Sequence, residues 1–320
     1  MTDRVLPDLP PADLAGTGIA GPDPLALYLA TLAPSSQRTV IRSLKAIARL
    51  LGVPYQAVPW RALRYPHVVA IRAQLLDRDL APATINVALA ALRGIAREAW
   101  KLQLLSAEEL ARITSVKGAR GTRLPAGRSV SRGELAALLA ACAADQTPAG
   151  IRDGALIAVL YAGGLRRAEL AGLTIGDWTA ETAELRIRHG KGKKQRRIYL
   201  VVGAAQALAD WIGVRGTWPG PLFVAINKGG RLGRQQLTAQ AVYNVLQKRA
   251  QAAGITELSP HDLRRTFVGD LLDAGADIAT VQQLAGHANV QTTARYDRRG
   301  EAAKRKAIDL LHVPYTQRHR

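Results

Sequence analysis

Between Val116 and Arg132 the helical periodicity that runs through most of this chain stops. Gly118, Gly121, Pro125 and Gly127 alternate there with Lys117, Arg120, Arg123, Arg128 and Arg132, and no acidic residue intervenes. Such a stretch offers no apolar face to bury, so it reads as a linker. With 320 residues, the chain is long enough for a separate core on each side of it. The break predicts a helical domain over 25–114, a basic linker over 115–132 and a second domain over 133–300. A flexible leader at 1–24, rich in proline, and a tail at 301–320 complete the division.

Apolar spacing supplies the elements. Leu25, Leu29 and Leu32 before Pro34, then Val40, Ile41, Leu44, Ile47, Ala48 and Leu51 after it, predict two helices split at the proline. Two more fit 65–79 and the stretch from Ala81 through Ala99, which makes the first domain a small helical bundle. In the second, helical spacing returns at 134–144 and 151–162. Alternating residues at 183–188 and 195–202 then flank a turn rich in glycine and lysine, the pattern of a β-hairpin. Further helices fit 204–212, 238–253, 260–274, 278–284 and 291–296, with an amphipathic tail at 301–311. The expected fold class is mainly α, a helical N-terminal domain followed by an α/β catalytic domain with a small antiparallel sheet.

The formal net charge is +19, and it is unevenly placed. Residues 1–114 hold 13 basic and 9 acidic side chains, whereas residues 115–320 hold 31 and 16. A surplus of that size in a chain with 48% hydrophobic residues favours a polyanionic partner and excludes a disordered polymer. Charge alone would serve a ribosome-associated or membrane-surface protein equally well. The longest apolar run, Ala155–Leu165, is too short to span a bilayer, and the first residues contain no apolar signal core. The expectation is a cytoplasmic, nucleoid-associated protein with no membrane partner. The single cysteine, Cys142, sits in an apolar stretch and reads as a buried thiol.

Chemistry concentrates in the last quarter. His261-Asp262-Leu263-Arg264 follows Ser259-Pro260, a helix start with serine as N-cap and proline at the first turn. Three-residue spacing puts His261 and Arg264 on one face, where a planar guanidinium can grip phosphate oxygens and an imidazole can move a proton. Taken alone, that pair also fits an unexceptional surface. Arg166 follows Gly163-Gly164, and the local segment alone favours a surface ion pair with Glu169 of little consequence. Gly190-Lys191-Gly192 lacks the full Walker spacing and a following Ser or Thr, so a nucleotide cofactor is not expected. The six histidines contain no His-Glu-x-x-His pair and one cysteine cannot build a thiolate cage, so no metal is expected either. Glu169, Asp262 and Asp297 read as groups that orient cations.

Jointly, Gly164-Leu-Arg-x-x-Glu-Leu170, the hairpin Gly190-Lys-Gly-x-Lys194, His261-x-Leu-Arg264 and Gly286-His-x-x-x-x-Thr-Thr-x-x-Tyr296 resemble the tyrosine recombinases, the family of phage integrases and Xer-type resolvases. The motifs cover about residues 130–297, and the helical domain resembles the family's core-binding domain by pattern. The resemblance implies Tyr296 as nucleophile, Arg166 and Arg264 as a phosphate clamp, Lys191 as general acid, and His261 and His287 in the two remaining roles. Arg265 departs from the family, because many members carry histidine there; a packing role or a phosphate contact is expected. Lys117, Arg120, Arg123, Arg128, Lys193, Lys194 and Arg265 are the candidate DNA contacts.

The residue types suit that chemistry. A phenol with a reference pKa near ~10 costs about 4 kcal/mol to ionise at pH 7, so cations must offset part of the cost. Two arginines aimed at a phosphorus centre stabilise the charge that builds on its oxygens. The implied function is site-specific DNA recombination through a 3′-phosphotyrosyl intermediate, carried out by a homotetramer on paired sites in double-stranded DNA, with accessory DNA-bending proteins as further partners. The tail, with Ala302, Ala307, Ile308 and Leu311 among cations, either folds back on its own domain or docks in the adjacent protomer, as the family does. A type IB topoisomerase and a non-catalytic DNA-binding regulator are the alternative readings.

Overall fold

The structure, a computed structural model, describes residues 22–121, 127–188 and 195–297, with positions 305, 308, 309, 311 and 314. Most of the expected leader and tail, linker positions 122–126 with Arg123, and the hairpin turn with Lys191, Lys193 and Lys194 lie outside the described residues. Two compact units divide the chain, 1–125 and 126–320.

The first unit is helical: α1 (Pro24–Ala30), α2 (Pro34–Leu50), α3 (Tyr65–Asp77), α4 (Pro82–Lys101) and α5 (Ala107–Ser115). Proline occupies the first turn of the first four. It lacks an N–H, but a first-turn N–H has no helical partner in any case, so proline starts these helices without loss. Helix α4 is the central element. Its Ile85, Leu89, Leu92 and Ile95 are buried against Leu44 and Ile47 of α2 and Val68 and Ile71 of α3. Helix α5 was not expected from periodicity. Its signal is a capping box, in which the Glu109 N–H donates to Ser106 Oγ at 3.1 Å and the Ser106 N–H donates to Glu109 Oε2 at 3.2 Å.

The second unit runs α6 (Arg132–Ala143), α7 (Pro148–Ala162), α8 (Arg167–Ala171), β1 (Trp178–Thr179), β2 (Glu184–Ile187), β3 (Arg196–Tyr199) and α9 (Val202–Arg215). It continues with β4 (Val224–Ile226), β5 (Leu232–Gln236), α10 (Ala239–Ala252), α11 (Pro260–Asp273), α12 (Ile278–Ala285) and α13 (Val290–Ala294). Helix α7 is apolar around most of its circumference because it is buried from Ala155 to Leu160. The expected hairpin forms: β2 and β3 pair antiparallel with Leu185 opposite Ile198 and Ile187 opposite Arg196, and β1 adds a third strand. The β4–β5 ribbon escaped the sequence reading because β5 carries Gly233, Arg234, Gln235 and Gln236, which do not alternate. No described helix is long and apolar enough to cross a membrane.

An ion network sits inside this unit. Asp153 accepts from Arg152 Nη2 at 2.7 Å and from Arg249 Nε at 2.8 Å, and Arg249 Nη2 reaches Asp145 at 2.6 Å. The Asp153 side chain is 1% exposed and that of Asp145 is 23% exposed. Removing the deeper carboxylate leaves Arg152 with no carboxylate and Arg249 with only that of Asp145 among the described residues, both away from water. Asp153→Ala should cost about 3–5 kcal/mol in urea unfolding, and Asp145→Ala clearly less. Equal losses would place the network's weight elsewhere.

Candidate active site

Helix α7 ends at Gly163-Gly164, and Gly164 adopts φ +53°, a left-handed conformation. A Cβ there would stand 2.2 Å from the Phe267 ring, so only glycine lets this turn press against α11. The closeness has a use. The Gly164 carbonyl accepts a hydrogen bond from Arg264 Nη1 at 2.5 Å, which fixes a side chain only 3% exposed. The other terminal nitrogen of Arg264, Nη2, is buried with no partner among the described residues.

Arg166 caps the start of α8 in an extended conformation, φ −73° and ψ 145°. Its Nη1 donates to Glu169 at 2.6 Å and its Nη2 to the Gly286 carbonyl at 3.1 Å. The surface-pair reading is thereby corrected, because the Glu169 side chain is 3% exposed. It also accepts from Arg196 Nη1 at 3.2 Å and Nη2 at 2.8 Å. Burial pushes the Glu169 carboxyl upward, but the hydrogen bonds and charge of Arg196, with help from Arg166, outweigh it and hold the group below its usual value.

Gly286 ends α12 with φ +66°, and His287 follows it, 9% exposed. Its Nδ1 shares a hydrogen bond with Thr293 Oγ1 at 2.9 Å, which explains the second threonine of the motif. On α11, Asp262 receives the Ser259 N–H at 2.8 Å, the Ser259 hydroxyl at 2.7 Å and the Arg128 backbone N–H at 3.0 Å. Asp262 thus organises the helix start. The last expected helix stops at Ala294, two residues short, and Tyr296 sits in the turn beyond it. Its hydroxyl lies 3.2 Å from His261 Nε2, and its ring stacks near His287 with centroids 6.0 Å apart.

Five of the six expected catalytic residues therefore belong to one connected site: Arg166, His261, Arg264, His287 and Tyr296. The sixth, Lys191, lies outside the described residues. Arg166, His261 and Arg264 line a cavity of about 320 Å³, and Arg166 and His287 share an adjoining one of about 680 Å³ with Arg196. Among the candidate DNA contacts, Lys117 and Arg120 are exposed, while Arg128 is engaged by Glu134 at 2.7 Å. Arg265 is 7% exposed, with its guanidinium 5.3 Å from the Tyr296 ring centroid. Sequence reasoning missed Arg196, which nothing in its local pattern distinguishes. Among the described residues no group of three His, Cys, Asp or Glu could hold a metal ion.

The sequence profile of the phage integrase family matches residues 128–302. The tyrosine recombinase XerC of Chromohalobacter salexigens is 34% identical over 286 residues, covering 87% of this chain and 90% of the relative. The XerC of Corynebacterium efficiens is 34% identical over 72% of each chain. The chain belongs to the phage integrase family. It is a tyrosine-type site-specific DNA recombinase. The fold agrees with that of the Tn1549 transposon integrase, at TM-score 0.64 and 16% identity, covering 91% of this chain and 100% of that one. A lambda integrase gives TM-score 0.62 at 16% identity, covering 87% and 77%.

In this recombinase both imidazoles are biased toward the neutral form. Burial lowers His287 most, and the charges of Arg264 and Arg166 add to it, bringing the group to about 4. His261 is lowered in the same direction, by desolvation first and then by Arg264 and Arg265. Arg264 itself falls to about 10, through burial and repulsion from Arg166.

A histidine whose folded value lies below its unfolded value near ~6.5 takes up its proton on unfolding. Its contribution is fully present above pH ~6.5 and is lost as pH falls toward about 4. In the DNA-free recombinase that loss should reach roughly 3 kcal/mol for His287. His287→Gln, which cannot protonate, should flatten the decline of Tm between those pH values. An unchanged acid slope in the variant would show that His287 is not the group responsible.

Proposed function

We propose that Tyr296 cleaves one DNA strand by attacking a phosphodiester held between Arg166 and Arg264. The carrying observation is that the phenol hydroxyl touches His261 at 3.2 Å beside an arginine whose Nη2 is buried without a partner among the described residues. A buried donor left unpaired costs about 1–3 kcal/mol, and a phosphate oxygen would relieve that cost on binding. Tyr296 Oη bonds to phosphorus as the bond from phosphorus to the 5′-oxygen breaks. The phenolic proton passes to neutral His261, and the departing 5′-oxygen takes a proton from Lys191, the role that family likeness implies. His287 and the two arginines hydrogen-bond the oxygens where charge builds. A 3′-phosphotyrosyl link and a free 5′-hydroxyl result, and attack by another strand's 5′-hydroxyl rejoins DNA without ATP.

Specific paired sites in duplex DNA, exchange within a homotetramer, accessory DNA-bending proteins and a place on the bacterial nucleoid complete the proposal. Supporting the tetramer, a lambda integrase of similar fold, TM-score 0.60, is described as a tetramer bound to a Holliday junction. The tail helix would dock between protomers. The topoisomerase and regulator readings are not favoured, since the relatives named above are recombinases and the reactive side chains are assembled. Integration, excision, cassette movement and dimer resolution would all use the same geometry.

Tyr296→Phe removes only the hydroxyl, so it should abolish the covalent protein–DNA adduct while leaving DNA affinity nearly unchanged. Wild-type adduct formation should persist in excess chelator. An adduct from the Phe variant, or loss in chelator restored by magnesium, would count against the mechanism.

Neutralising Lys117, Arg120 and Arg123 together should weaken DNA binding and lower the slope of log affinity against log salt by about 2–3, through lost counterion release. Single-turnover cleavage at saturating protein should hardly change. An unaltered salt slope would remove these cations from the DNA interface.

A further inference from the structure

Arg265 has surroundings unlike those of a phosphate contact on the protein surface. It is 7% exposed, and its guanidinium lies over the Tyr296 ring, 5.3 Å from the centroid, within the range of a cation–π interaction. Helix geometry explains the placement. His261 and Arg265 are four residues apart on α11 and share a face, and both meet Tyr296, His261 at the hydroxyl and Arg265 at the ring. Arg264, one residue earlier, reaches instead to the Gly164 carbonyl.

The segment leading into α6 closes over the same side. A Cβ on Gly127, which has φ +95°, would stand 2.2 Å from Asp262 Oδ1 and 3.7 Å from Arg265 Nη2. The close approach is to Asp262, and the same backbone passes beside the Arg265 guanidinium.

We propose that Arg265 is a positioning residue for the nucleophile: it holds the Tyr296 ring with the hydroxyl toward His261 and steadies the phenolate as it forms. The inference rests on Tyr296 being the nucleophile. Its charge serves a second end: after desolvation and Arg264, it lowers the His261 value, favouring the form that accepts the phenolic proton. Among the described residues, the ionisable groups set around Tyr296 include His261, Arg264 and Arg265 from α11 and His287 from the turn after α12. Arg166, at the head of α8, lowers both imidazoles, Arg196 of β3 lowers His287, and the buried Asp262 of α11 opposes them by raising His261. Of these, Arg265 is the cation over the ring face. It would therefore bear on nucleophile formation rather than on the phosphate.

The test is single-turnover adduct formation on a nicked duplex carrying the recombinase's mapped cleavage site, from about pH 6 to about pH 9, with DNA affinity measured against salt in parallel. Arg265→Gln should react about tenfold more slowly at neutral pH. The deficit should shrink as pH rises, since hydroxide then supplies phenolate without the cation. Affinity and salt slope should stay at wild-type values, and Arg265→Lys should restore most of the rate. A wild-type rate in Arg265→Gln with a salt slope reduced by about one would make Arg265 a phosphate contact and overturn the proposal. A deficit equal at every pH and not restored by lysine would reduce Arg265 to packing. Should thermal melting reveal that Arg265→Gln does not fold, Arg265→His carries the same test. Its rate relative to wild type should fall as the new imidazole loses its proton, and a flat ratio overturns the proposal. Tyr296→Phe is the control: an adduct from it would sink the nucleophile assignment itself, whereas a clean loss with unaltered Arg265 profiles would sink only this inference.

Discussion

Glu169 is buried between two guanidinia, and three separate pieces of chain converge on that pairing. Arg166 comes from the head of α8, Arg196 from the start of β3, and both continue past the carboxylate to the end of α12. Arg196 Nε donates to the Leu284 carbonyl at 2.9 Å, and Arg166 Nη2 donates to the Gly286 carbonyl. A carboxylate accepts two guanidinium forks at once, and in a setting this dry each partner depends on the others being present. The contact aims an arginine at the cavity and also holds the backbone from which His287 emerges.

Around Glu169 the site is crowded with positive charge. Arg166, Arg264 and Arg265 converge, and protonation of the two imidazoles nearby is disfavoured, by desolvation first and then by the arginine charges. An arrangement of this kind is strained without a ligand and relieved by an anion. In the proposed reaction, donors fixed in this way would need little rearrangement as charge builds on a phosphate. The unpartnered Nη2 of Arg264 is the clearest local sign of that unspent capacity.

The elements of the fold were largely legible in the chain. Proline at helix starts, the split at Pro34 and the alternation around the hairpin are local signals, and the structure follows them. Short elements held by neighbours were not legible: α8 has five residues, β1 has two, and β5 has no alternating pattern. The capping box of α5 was readable but outweighed by weak periodicity over nine residues. In the site, motif order and spacing named Arg166, His261, Arg264, His287 and Tyr296. Arg196 stayed hidden because its role arises from β3 meeting α8 and α12, which no local spacing encodes.

What the sequence determined by itself was the inventory: a helical first part, a basic second part, and an ordered series of motifs that names the chemistry. Side-chain type, charge and short-range spacing are properties of neighbouring residues, so they survive without coordinates. Tertiary structure alone decided how that inventory is wired. Arg166 and Glu169, two residues that could have made a weak surface pair, became part of a cluster around a buried carboxylate because Arg196 arrives from 27 positions away. Arg265, which local spacing left between packing and a phosphate contact, lies under the Tyr296 ring because α11 turns its His261 face toward the end of α13. Burial and long-range approach set those outcomes, and both are properties of the folded chain.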